Sequence, residues 1–167
     1  KLLEQKPRDS YLQAAMGSIY SDQMQFERAI PFFDEALRLR PGDEFLRMSL
    51  NVARGRQQAA AALPQLLRKL SEEPKNAGLH ASVSQALVFA NRQDEAFKVI
   101  EDLYALDPKD PEIYVFVSII FSELGLREQT MNALKRSLAK ADNPAAHLNL
   151  AHWHETLGKL DIALEHY

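Results

Sequence analysis

The chain has 167 residues, 46% of them hydrophobic, enough to bury a core without metals or crosslinks. Cysteine is absent, which excludes disulfides and thiolate metal sites. The net charge of −3 hides an asymmetry, with 11 basic against 8 acidic residues up to Leu70 and 9 against 15 from Ser71 onward. This acidic balance disfavours nucleic acid as a partner. The longest apolar run, Ile113–Phe121, has nine residues, against the roughly 20 that a helix needs to span a bilayer, so no membrane span is expected.

Prolines divide the chain. Pro7, Pro41, Pro74 and Pro108 follow at spacings of 34, 33 and 34 residues, and Pro111 recurs 33 residues later as Pro144. Between them apolar residues return every three or four positions, and each interval holds two such segments joined by a short polar turn. The unit is a helical hairpin. Residues 1–7 read as the end of a preceding hairpin. In unit 8–41, Leu12, Met16, Ile19 and Tyr20 form one apolar stripe, and Phe26, Ala29, Phe33, Ala36 and Leu37 the next, with Ser21–Gln23 between. Unit 42–74 is degenerate, because "GRQQAAAA" favours helix where a break belongs. Its register rests on Pro31 and Pro64, each ten residues before a closing proline.

Unit 75–108 predicts helices near 77–90 and 94–106, with Asp94 capping the second. Unit 109–143 turns at Gly125 and unit 144–167, incomplete, at Gly158, where absence of a Cβ permits the left-handed conformation. Pro111 and Pro144 fit the first turn of a helix, whose N–H groups lack intrahelical partners. Neither end reads as a polar cap, so the chain is expected to be a piece of a longer array.

In register over the whole chain, these residues resemble the tetratricopeptide repeat family. Gly17, Ser84, Ser118 and Ala151 match its small residue in the first helix, Ala29, Ala62, Ala96 and Ala163 its alanine in the second, and Pro7, Pro41, Pro74 and Pro108 its closing proline. Leu50, Thr130 and Asp142 depart from the pattern. The resemblance implies an all-α, right-handed superhelical solenoid of antiparallel helix hairpins, about five units long, with first helices lining the concave side. It also implies a non-catalytic scaffold for protein partners.

Chemistry finds little support in the residues. "HLNLAHWHE" offers His147, His152, His154 and Glu155, but metal ligands on a helix favour separations of three or four, and Ala151 interrupts the row from His147 to His154. His147 and His154 therefore read as packing residues and His152 as groove-facing. No phosphate loop or nucleophile motif appears, and no cofactor, metal or catalytic residue is expected. Arg38, Arg40, Arg47, Arg54 and Arg56 read either as an attractor for acidic partners or as a solvated helix face.

Projection of the register puts Tyr11, Ala14, Ala15 and Ser18 on the groove in the first unit. Ala81, Ser82, Gln85 and Phe89 follow in the third, Val115, Phe116 and Ile119 in the fourth, and Leu148, Asn149 and His152 in the fifth. The carboxylate clamp of chaperone-binding family members is missing, because Ala14, Ser18, Ala81, Gln85, Val115 and Ile119 occupy its places. An asparagine ladder is missing too, since only Asn149 stands among Ala15, Ser82 and Phe116. The expected contacts are Phe89, Val115, Phe116, Ile119, Leu148, Asn149 and His152, binding an apolar or amphipathic peptide or helix of a partner protein. Two readings of the nearly all-apolar fourth first-helix stay open: burial on both sides, or an exposed patch. The alternative role is a structural spacer or a segment that self-associates through its ends.

Overall fold

The computed structural model describes residues 9–167, so the helix end read at 1–7 lies outside the described residues. The described chain is helical, with ten helices: α1 Ser10–Asp22, α2 Phe26–Leu39, α3 Glu44–Ala61, α4 Leu63–Glu72, α5 Ala77–Phe89, α6 Gln93–Leu106, α7 Pro111–Glu123, α8 Arg127–Lys140, α9 Pro144–Thr156 and α10 Leu160–His166.

A second periodicity sets the helix starts. Asp9, Asp43, Asn76, Asp110 and Asn143 each precede an odd-numbered helix, at spacings of 34, 33, 34 and 33. Each accepts a backbone N–H from the first turn, those of Leu12, Leu46, Leu79, Glu112 and Ala146 among them. Such caps satisfy donors that a helix start leaves orphaned. Pro111 and Pro144 follow Asp110 and Asn143 at the first helical position, as expected. Helices α2, α8 and α10 begin without a side-chain cap. Asp94 does not cap the second helix of its unit, because α6 already starts at Gln93; Asp94 and Glu95 instead put negative charge in the first turn, where it complements the positive end of the helix dipole.

The hairpin turns pass through the left-handed region at Met24 (φ 56°), Asn91 (58°), Gly125 (69°) and Gly158 (70°). Glycine and asparagine suit that conformation, whereas methionine pays roughly 1 kcal/mol in steric strain. Met24→Gly is therefore expected to raise stability by about 0.5–1 kcal/mol despite the added freedom of the unfolded chain. Met24→Ala, which keeps a Cβ, is expected to show no such gain in a denaturation midpoint.

In the second hairpin the break is a single residue. Helix α3 runs on through Ala61, and Ala62 stays right-handed (φ −75°) before α4 starts at Leu63. The alanine and glutamine run thus joins α3, and α4 begins with Pro64 near its N-terminus, where the missing N–H costs least.

Two compact units emerge among the described residues, 9–65 with Ala86–Gln93, and Leu66–Gln85 with Asp94–Tyr167. In the first, α1 packs on α2 and α3 around Phe26, Ala29, Phe33, Ala36, Leu46, Leu50 and Ala53, all buried. Gly17 admits the Phe33 ring, which would lie 2.7 Å from a Cβ placed there. Arg54 holds Asp34 at 2.9 Å, joining α3 to α2.

In the second unit α7 packs on α8, α8 on α9 and α9 on α10. Val115, Leu134, Ala146 and Leu150 form its buried cluster, with Met131, Leu138 and Ala145 against it. Ser137 donates to the Pro111 carbonyl at 3.0 Å, and the Asn143 amide to Glu112 at 2.8 Å. Thr130, in place of alanine, is buried and satisfied because its hydroxyl donates to the Leu126 carbonyl.

Candidate functional site

The caps fix the register of the odd-numbered helices, and so show which of their residues share a position. Helix α3 presents Phe45, Met48 and Val52 at i, i+3 and i+7, with exposures of 72%, 61% and 49%. This spacing puts all three on one face. They occupy the positions that Tyr11, Ala14 and Ser18 hold on α1, so they belong to the surface that the first helices were expected to present. Sequence reasoning missed them because the second unit read as degenerate and its face was not projected. The signal was available in the Asp9 to Asp43 spacing.

In the second unit Ile119, Asn149 and His152 come together around a cavity of about 510 Å³ between α7 and α9, floored by Thr130 and Leu134 of α8. Trp153, Ser122 and Glu123 complete much of its wall. Trp153, also missed, is half-buried beneath the Arg127 guanidinium at 5.8 Å. Ile119 is 43% exposed, and His152 lies 3.8 Å from Glu155. The Asn149 amide is already engaged, donating to the Ala145 carbonyl at 2.7 Å.

The remaining expected contacts are placed otherwise. Val115 is buried in the core, because Leu134, Ala146 and Leu150 close over it. Phe116 is half-buried and does not line the cavity. Leu148 is exposed but lines a different cavity, with His147, His166 and Tyr167. Phe89 belongs to the first unit and is buried there, edge-on to Phe26 at 6.0 Å, at the wall of a cavity of about 620 Å³ that Met24 also lines. The open question over α7 resolves mostly toward burial: Tyr114, Val117, Ser118, Ile120 and Phe121 join Val115 inside, and Ile119 is its large exposed side chain.

The arginine cluster is compensated. Arg38 pairs with Glu35, Arg40 with Asp43, Arg47 with Glu44 and Arg54 with Asp34, while Arg56 stands 5.5 Å from the Phe89 ring centre. Exposed pairs of this kind contribute little stability, but they cancel the local field, which favours the solvated-face reading.

Three imidazoles meet at the last hairpin. His147 Nδ1 lies 2.9 Å from His166 Nδ1, and the His154 ring stacks on His166 with centroids 5.9 Å apart. His147 Nε2 reaches Asp142 at 3.1 Å. His154 is buried, as its packing role requires. Among the described residues no group of His, Asp or Glu is arranged to hold a metal ion. Burial, then the charges of His147 and His154, hold His166 below the ordinary imidazole value. The fold therefore favours neutral His166, and the unfolded chain takes up the proton first as pH falls through about 6.5. Opening of α10, read as the ratio of observed to intrinsic amide exchange rate, is expected to rise below that pH and not above it, and His166→Leu should remove the dependence.

Residues 11–43 match the family model of the tetratricopeptide repeat. No curated protein matches the chain. Among solved structures, a thermophilic TPR protein of Thermus thermophilus aligns at 22% identity over 95% of this chain and 88% of its own, with a TM-score of 0.55. MamA from Desulfovibrio magneticus RS-1 aligns at 16% over 94% and 90%, with a TM-score of 0.53. A chain of the APC/C hetero-tetramer Cut9–Hcn1 aligns at 18% over 98% of this chain but 31% of its own, also at 0.53. Capped helix pairs in a 33- to 34-residue register define an all-α hairpin-repeat protein. Residues 11–43 are a tetratricopeptide repeat segment, and the rest of the chain shares the helical-repeat fold of the solved structures it resembles. Among the described residues no helix is long and apolar enough to cross a membrane.

Proposed function

We propose that the chain is a non-catalytic scaffold that holds a partner protein on exposed faces of odd-numbered helices, α3 in the first unit and α7 with α9 in the second. The observation that carries this reading is the Phe45, Met48 and Val52 stripe, three large apolar side chains on one helix face and open to water. Single exposed apolar residues are ordinary; a contiguous stripe at helical spacing is a docking feature. In the second unit Ile119, His152 and Trp153 offer an apolar notch with a polar rim, and Asn149 narrows it. Leu148 and Phe116 flank that notch in sequence, and Val115 and Phe89 support the fold from within. The partner segment is apolar or amphipathic, since the notch joins a tryptophan and an isoleucine to Glu123 and His152.

The test is affinity for a partner isolated with the native chain. Phe45→Asp with Met48→Asp is expected to weaken binding at least about tenfold, since central apolar anchors carry most of the energy of an interface. Helix content should be unchanged, because both side chains are exposed. Equal affinity of the variant and the native chain would refute the reading. If self-association were lost instead, the spacer or oligomerisation role would replace it.

A further inference from the structure

We propose a second docking site on the even-numbered helices: a cavity between α6 and α8 that takes an acidic segment of a partner protein with an apolar side chain. The cavity measures about 490 Å³. Tyr104 and Phe121 supply aromatic surface, while Gln129, Asn132, Lys135 and Arg136 of α8 supply amides and cations; no carboxylate lines it. Ala139 keeps one side of the mouth low.

Charge is the decisive feature. Residues from Ser71 onward carry 9 basic and 15 acidic side chains, so an acidic ligand would meet repulsion over most of this stretch. Five cations are neutralised by a carboxylate: Arg38, Arg40, Arg47, Arg54 and Lys140. Lys135 and Arg136 are exposed and, among the described residues, form no ion pair, although the Arg136 charge helps to lower the Asp107 carboxyl from a distance. Arg136 is nevertheless fixed, its guanidinium 4.4 Å above the Tyr104 ring. That ring stacks on Tyr114 at 6.0 Å, and burial pushes its hydroxyl up to about 12, so it stays neutral and adds no competing negative charge.

A guanidinium held in place by an aromatic face loses less freedom when it meets a carboxylate. The two amides can satisfy backbone groups of the same segment. A free anion would use the cations alone and leave the aromatic floor uncovered, so a peptide that carries both features fits the cavity better.

The probe is a pool of short synthetic peptides, each with one Phe, Trp or Leu among aspartates and glutamates, titrated into the isotope-labelled chain. A member of the pool is expected to shift the amides of Lys135, Arg136 and Ala139, with affinity that falls as salt rises. Lys135→Ala with Arg136→Ala should weaken it at least about tenfold, or about 1.4 kcal/mol. Ala139→Glu, at an exposed position, provides a second variant with the same expected loss. Phe45→Asp should leave it unchanged, which separates this site from the α3 stripe. The proposal is overturned if no peptide shifts these amides, if shifts centre on Ile119 and His152 instead, or if inorganic phosphate reproduces them as well as the best peptide.

Discussion

Tyr114→Ala is expected to cost about 3–5 kcal/mol, the range for removing a fully buried aromatic ring. Tyr114 is wholly inaccessible, its ring stacked on Tyr104 and its hydroxyl 3.3 Å from Asp107. Asp107 in turn holds Lys140, which ties the end of α6 to the end of α8. Loss of the ring would open a void between helices that cannot close without moving α7. Tyr114→Phe removes only the long hydrogen bond and should cost about 1 kcal/mol. The denaturant midpoint at constant slope separates the two; equal midpoints for Tyr114→Ala and the native chain would show that the ring is not packed.

Gly17→Leu should destabilise the first unit by about 1–3 kcal/mol, because over-filling a packed contact forces side chains or backbone to shift. The Phe33 ring occupies the space a Cβ would need, with three of its atoms within 3.0 Å of that position. Phe33 is itself 2% exposed and cannot swing into solvent without exposing α2. A shorter ring partner tests the cause: in Gly17→Leu with Phe33→Leu, part of the loss should return, as expected for residues in contact. Simple addition of the two losses would contradict a direct clash.

Much of the fold is legible in the sequence because its determinants are local. Pro111 and Pro144 mark helix starts through a missing N–H, and Gly125 and Gly158 mark turns through a missing Cβ. The equivalent turn at Met24 carries no such mark, since its left-handed backbone is held by a residue that does not favour it. The α3–α4 break is obscure for a different reason: Ala62 turns with an ordinary right-handed backbone, which demands no special residue.

The site was less legible. Ile119 and His152 follow from helical projection, but whether Val115 faces water depends on Leu134, Ala146 and Leu150, which approach from two other helices. Periodicity gives direction around one helix and says nothing of what covers it. Phe45, Met48 and Val52 were within reach, and would have been found by using the Asx caps rather than the prolines as the ruler.

The most direct test of the account places a photo-crosslinking residue at Met48 and at Ile119, and, as controls, at the exposed Arg38 and Lys98 on even-numbered helices. Crosslinks to one common partner protein from positions 48 and 119, and none to it from 38 or 98, are the expected result. Capture of that partner from 38 and 98 alone would contradict the claim that the exposed faces of the odd-numbered helices hold it.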